Sequence, residues 1–239
     1  MIPPTILQPN ATTVYQFLSF IRYRLAEGES LAGRSILDCG AAGPVPPVAI
    51  FAEQGMVAHG IDISKPHLDL SKQFCSDTGI DIRLQLADMR QLPFDNESFD
   101  YVYEHYSVCH LTADDTKRTL DEFHRVLKPG GYALFGVISK ESWPPSIFAR
   151  RVDGTPVHHG MFTDGEANAL VEGWDILLRE KVVRVLFNEA QALSEPDWMA
   201  LHPEAPHPCS ESEWRARYPQ RTDFFTYVHS FYYLRKPPA

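Results

Sequence analysis

The stretch ILDCGAAGPVPP at residues 36–47, read together with GIDIS at residues 60–64, decides the fold. Ile36, Leu37 and Cys39 make a short apolar run of the kind that becomes a buried strand, and Gly40 ends it. MVAHGIDIS is a second such run and places Asp62 22 positions beyond Gly40. A glycine turn after one strand, then an acid at the end of the next, is how an open α/β sheet holds an adenosine ribose. The glycines let the backbone approach the ligand, and the acid accepts from both ribose hydroxyls. Taken alone, this pair suits a nicotinamide dinucleotide as well as S-adenosylmethionine.

Outward from this pair, helices and strands alternate. Residues 14–27 carry Phe17, Leu18, Ile21 and Leu25 at helical spacing behind Thr12 and Thr13, so an N-terminal helix is expected over about residues 12–28. VAIFAEQG reads as a helix closed by Gly55, residues 65–78 as the next, IRLQLAD as a third strand and FDYVYEHYSV as a fourth. Residues 114–127 form a helix capped by Asp114 or Asp115, with Leu120, Phe123, Val126 and Leu127 on one face. LKPGG ends that helix, and YALFGVIS is the fifth strand. A helix over residues 164–172 and the strands WDILLREKVVRVL and TYVHSFYYLRK complete the pattern. This order predicts an α/β fold with a doubly wound, mostly parallel sheet, whose right-handed crossovers bring the strand C-termini to one ligand-binding rim. A single domain over residues 1–239 is expected, its cofactor-binding core at about 33–140. The polar stretch 188–221, with Pro196, Pro203, Pro206, Pro208 and Pro219, is too long for a plain hairpin and reads as a lid-like insert.

Charge separates the two cofactors. A dinucleotide lays its pyrophosphate on free N–H groups at a helix start, yet Pro44, Pro46 and Pro47 delete three of those donors. Asp38, two residues before Gly40, is a poor neighbour for a pyrophosphate and a good one for a cation. S-adenosylmethionine presents an ammonium and a sulfonium, and Asp88, ending the third strand, lies within reach of an adenine amino group. In order and spacing, ILDCGAAGP, GIDIS, ADMRQLPFDNESFDYVY and LDEFHRVLKPGGYALF resemble the class I S-adenosylmethionine-dependent methyltransferases, in particular the small-molecule type 11 group. The resemblance implies a seven-stranded Rossmann-like sheet with an antiparallel last strand and a methyl-transferring enzyme that uses S-adenosyl-L-methionine. It assigns Asp38, Gly40 and Ala42 to the first cofactor motif, and Asp62, followed by Ile63, to the ribose acid. Asp88 with Met89 falls at the adenine site, and Glu104 at the methionine part. The family's D-x-G-x-G-x-G reads here D-C-G-A-A-G-P, with Ala42 and Pro44 in place of two glycines. An alanine fits there only with a negative φ.

Methyl transfer asks the protein mainly to align a nucleophile and exclude water, with a base only where the acceptor must lose a proton. His105, next to Glu104 at the end of the fourth strand, is the best-placed base; packing against the cofactor is its other reading, Glu104 has the same two readings, and Tyr106 is expected to line the pocket or to bind its solvent end. His110 reads as a structural hydrogen-bonding group. His158, His159, His202 and His207 lack the spacing of a metal site, so no metal is expected. Tyr227, Phe231 and Tyr233 alternate along the last strand and face a core by default. The four cysteines, Cys39, Cys75, Cys109 and Cys209, are scattered like the reduced thiols of a cytoplasmic protein. Apolar residues at 44% and charged ones at 22% fit a globular chain, and no apolar run is long enough to span a membrane. The start, MIPPTILQPN, has no signal-peptide pattern. With 22 basic against 31 acidic residues and a net charge of −9, nucleic acid is not expected as a partner. A small-molecule acceptor for O- or N-methylation is the leading reading. A cofactor-binding module that methylates nothing and an NAD-dependent oxidoreductase are the alternatives.

Overall fold

The computed structural model describes residues 11–142, 160–187 and 224–238. The elements run α1 (Ala11–Tyr23), β1 (Ser35–Cys39), α2 (Ala49–Ala52), β2 (Val57–Asp62), α3 (Lys65–Thr78), β3 (Arg83–Leu86), β4 (Phe99–Tyr103), α4 (Ala113–Val126), β5 (Leu127–Ser139), β6 (Met161–Phe162), α5 (Asp164–Leu170), β7 (Asp175–Phe187) and β8 (Phe224–Arg235). The strands lie in the order β3-β2-β1-β4-β5-β8-β7, and the two-residue β6 pairs with β5. β1 to β5 are parallel, and β8 runs antiparallel to both neighbours. This is the expected doubly wound sheet with an antiparallel last strand. Only β6 was not read from sequence, because two residues carry no period.

Several boundaries differ for local physical reasons. The first helix ends at Tyr23, about a turn early, and the chain then takes successive tight turns. The second helix shrinks to four residues, because Pro44, Pro46 and Pro47 precede it and Gly55, at φ +80°, follows. α4 is capped by Thr112, whose hydroxyl accepts from the Asp115 N–H, and not by Asp114 or Asp115; those two acids occupy its first turn, where the helix dipole favours them. α5 stops at Leu170, two residues short of the expected end, behind a Thr163–Glu166 capping box. β4 ends at Tyr103, so Glu104 to Ser107 belong to a connection that leads into a 3-10 turn at Val108–His110. Cys109 lies in that turn, and Cys39 and Cys109 are buried free thiols. The 188–221 insert, together with Cys209 and the four histidines weighed against a metal, lies outside the described residues.

Two apolar layers cover the sheet. On one face Val14, Phe17, Leu18 and Ile21 of α1, with Ile50 and Phe51 of α2, pack on Ile36, Tyr101, Tyr103, Leu134, Phe231 and Tyr233. On the other face Leu120, Phe123 and Val126 of α4 pack with Ala167 and Leu170 of α5 on Leu37, Cys39, Val102, Phe135 and Leu234. Tyr232 joins that second layer, so successive β8 residues feed opposite faces. Phe231 and Tyr233 are core residues, as the alternation expects.

Phe17 fixes α1 to the sheet. Its fully buried ring lies 5.9 Å from Tyr103, 6.1 Å from Phe51 and 6.3 Å from Tyr233, centroid to centroid. Truncation there leaves a void that four elements border. Phe17→Ala is expected to cost about 3–5 kcal/mol in urea denaturation; a loss below about 1 kcal/mol would show that α1 docks independently of this layer.

Candidate active site

The rim formed by the C-terminal ends of β1, β2 and β4 gathers most of the candidate residues. β1 delivers Asp38 beside Gly60 of β2 and Tyr103 of β4. Asp38 is 2% exposed, one oxygen accepts from the Val48 N–H, and Oδ2 has no hydrogen-bond partner. The Tyr103 hydroxyl, on the register-paired residue, is likewise buried without a partner. Burial raises the Asp38 carboxyl well above the ordinary carboxylate range, and the neighbouring Glu104 raises it further. A buried acid in this condition costs stability unless something cationic or hydrogen-bonding meets it.

Past Asp38 the loop turns at Gly40, with φ +91°. A Cβ there would lie 1.9 Å from the Ser107 hydroxyl oxygen, so only glycine lets the loop and the turn after β4 approach this closely. Ala42 keeps an ordinary negative φ, and its N–H donates to Asp62 Oδ2 at 3.3 Å. Gly43 is tied to α3 through Ser71, whose hydroxyl meets both its N–H (2.9 Å) and its carbonyl (2.8 Å). The replaced glycines are therefore accommodated by a loop anchored on two elements.

Asp62, at the end of β2, also accepts from the Ser64 N–H at 2.7 Å. Its carboxylate thus ties the glycine loop to the start of α3 and keeps acceptor capacity to spare. The next side chain, Ile63, is 73% exposed, an apolar surface beside that acid. Asp88 lies beyond β3 and is gripped by Arg90, with Nη2 to Oδ2 at 2.6 Å; Arg90 also reaches Asp115 of α4 at 2.9 Å. The Arg90 hydrogen bonds hold the Asp88 carboxyl below its ordinary range. The Met89 methyl lies 3.8 Å from the Cβ position of Gly40, on the loop side.

Glu104 is fully buried and has taken a structural partner set. Oε1 accepts from the N–H groups of Ser107 (2.6 Å) and Val108 (2.8 Å), and Oε2 from Gly136 of β5 (3.3 Å). Burial pushes its carboxyl up to about 7 against the pull of those three bonds. It fastens the turn after β4, so its reach toward a ligand passes through that turn.

His105 is 9% exposed, and Tyr106 takes φ +65°, one of two non-glycine residues with positive φ among those described. Their rings lie 3.7 Å apart, centroid to centroid. The expectations missed His229 of β8, which is fully buried, 4.6 Å from both the Tyr106 and Phe231 rings, and linked to the Tyr227 hydroxyl at 3.0 Å through Nδ1. A signal was available: residues 227, 229, 231 and 233 share one face of a strand that is otherwise aromatic there.

Known proteins resemble the chain in sequence and in fold. Residues 37–135 match the family model described as a methyltransferase domain. The chain is 35% identical over 123 residues to demethylmenaquinone methyltransferase of Clavibacter sepedonicus, covering 51% of this chain and 46% of that one. It is 27% identical over 164 residues to the malonyl-[acyl-carrier protein] O-methyltransferase of Salmonella typhimurium, covering 67% and 62%. The crystal structure of a putative methyltransferase from Bacillus halodurans superposes with a TM-score of 0.64 at 15% identity, covering 96% of this chain and all of that one. The family model thus matches the stretch from β1 into β5, and the superposition shows that the chain shares the fold of that structure. The chain spans 46% and 62% of the lengths of the two curated relatives.

The raised Glu104 carboxyl makes stability depend on pH. Between the unfolded value near 4.5 and about 7, the folded chain binds more protons than the unfolded one, so this group's contribution to stability falls as pH rises through that window. Asp38 acts in the same direction. Asp38→Asn removes its share, so urea denaturation should show the wild type losing stability relative to the variant from pH 5 to pH 8. A difference independent of pH would mean that Asp38 stays ionised throughout.

Proposed function

We propose that the chain is an S-adenosylmethionine-dependent methyltransferase acting on a small-molecule acceptor, working as one domain in the cytoplasm. The observation that carries this reading is the buried, partnerless oxygen of Asp38 beside the Tyr103 hydroxyl, at the rim end of β1 and under a proline-bearing loop. Such a group suits the ammonium of an amino acid and repels a pyrophosphate. The cofactor, when bound, supplies a methyl group already activated on a sulfonium. Asp38 would hold the ammonium, Gly40 and Ala42 would let the backbone approach, and Asp62 would accept from the ribose hydroxyls with its remaining lone pairs. Ile63 offers an apolar face to the adenine, with Met89 on the loop side. Asp88, already bound by Arg90, presents an oriented carboxylate to the adenine amino group. Glu104 acts at one remove, by holding the Ser107–Val108 turn against Gly40. Small-molecule acceptors are supported by the two curated relatives, whose names specify a quinone precursor and a carrier-bound malonyl group. Among the described residues no helix is long and apolar enough to cross a membrane.

Two measurements test this. S-adenosylhomocysteine is expected to raise the melting temperature, with stabilisation of about 2.7 kcal/mol at a hundredfold excess over Kd, and NAD is expected to leave it unchanged. A shift with NAD alone would replace the reading with an oxidoreductase. Asp62→Ala should weaken S-adenosylhomocysteine by about 2–3 kcal/mol, or roughly 30- to 150-fold in calorimetry. Part of that loss comes through the loop, because Ala42 and Ser64 lose their acceptor together. Binding within threefold of wild type would remove Asp62 from the ribose site.

A further inference from the structure

The antiparallel direction of β8 carries its first half to the same rim as the ends of β4 and β5, with His229 paired to Ile138. There His229 stacks on Phe231 at 4.6 Å and 10°, and stands nearly perpendicular to Tyr106 at 4.6 Å and 83°. Gly136 of β5 makes the room: a Cβ there would lie 2.7 Å from the Phe231 ring and 3.0 Å from His229 Nε2. Tyr106 adopts a left-handed backbone that costs a side-chain-bearing residue energy, and strain of this kind collects at ligand sites. Its ring lies between His105 and His229 and 6.0 Å from Tyr227. Tyr106 and Tyr227 are half-buried, whereas His229 behind them is fully buried. One residue further along the turn, Ser107 rests on Gly40 of the cofactor loop. A short turn therefore joins the cofactor loop to a nest of aromatic rings with a histidine at its back.

From this arrangement we propose that Tyr106, Tyr227 and His229 form the acceptor site, that the acceptor is a phenol, and that the Tyr227–His229 pair takes its proton. The proposal rests on the methyltransferase reading for its purpose. The aromatic walls suit an aryl ring in edge-to-face contact. With Nδ1 of His229 as acceptor, the Tyr227 hydroxyl donates to it at 3.0 Å. The phenol proton passes to the Tyr227 oxygen while the proton of Tyr227 passes to Nδ1, leaving a phenolate nucleophile, a neutral tyrosine and an imidazolium. Around His229, the turn after β4 contributes Tyr106 and His105, and the buried Glu104 sits on the adjacent Gly136 N–H. β8 itself contributes Tyr227, and the residues paired with His229, Ile138 of β5 and Val182 of β7, are uncharged.

4-Nitrophenol tests the proposal without turnover, because its phenolate is yellow. Titrated into the full chain, alone and with S-adenosylhomocysteine, at a pH where the free probe is mostly protonated, it should bind as the phenolate. Tyr227→Phe keeps the ring and should abolish the yellow band, while probe affinity falls roughly tenfold or less. His229→Asn should abolish the band as well. Failure of the wild type to bind the probe, binding of the protonated form, or a band that survives in Tyr227→Phe would each overturn the proposal. The melting shift with S-adenosylhomocysteine separates the two readings. A shift without a phenolate leaves the cofactor assignment standing and this site refuted. A phenolate without a shift does the reverse.

Discussion

The buried carboxylate of Asp38 constrains the rest of the site. An acid placed at 2% exposure with one oxygen partnerless is costly by itself. Parallel pairing leaves it little freedom, because β1 lies between β2 and β4 and its backbone is committed on both edges. The second buried acid, Glu104, adds to the cost through its charge and is held by three backbone N–H groups. A positive charge brought to this rim would relieve both carboxyls, because it favours their ionised forms.

The glycine loop and the turn after β4 follow from that placement. Gly40 and Ser107 touch, so the cofactor loop and the histidine-bearing turn cannot be positioned independently. Asp62 and Ser71 fasten the loop from below, through Ala42 and Gly43. Glu104 fastens the turn, and Tyr106 then takes a strained backbone that aims its ring at His229. The site is thus built on strand ends and not on free loops, which suits a reaction whose rate depends on alignment.

Much of this was legible in the sequence. Alternation of apolar runs with helical periods gave the sheet and its rim, and the helix over residues 65–78 matches α3 to the residue, with Ser64 as its cap and Gly79 at its end. The placement of Asp38, Gly40 and Asp62 at or next to the ends of β1 and β2 was legible because turn chemistry acts locally. Glu104 was read as a ligand group, but its hydrogen bonds run to Ser107, Val108 and, across 32 positions, Gly136, a partner that no local pattern exposes. The bidentate Arg90 grip on Asp88 could be guessed from their spacing, whereas the Arg90–Asp115 contact depends on how α4 docks. His229 joins His105 and Tyr106 only because β8 is inserted next to β5, a fact of topology and not of periodicity.

The central claim is that Asp38, whose burial raises its affinity for protons, meets the cation of the proposed cofactor at the rim. Calorimetric titration with S-adenosylhomocysteine, repeated near pH 6.5 in buffers of different ionisation heat, counts the protons exchanged on binding. The ammonium should drive Asp38 to ionise, and its charge should draw the neighbouring Glu104 the same way, so net proton release is expected. Tight binding with no exchange, or with proton uptake, would contradict the account.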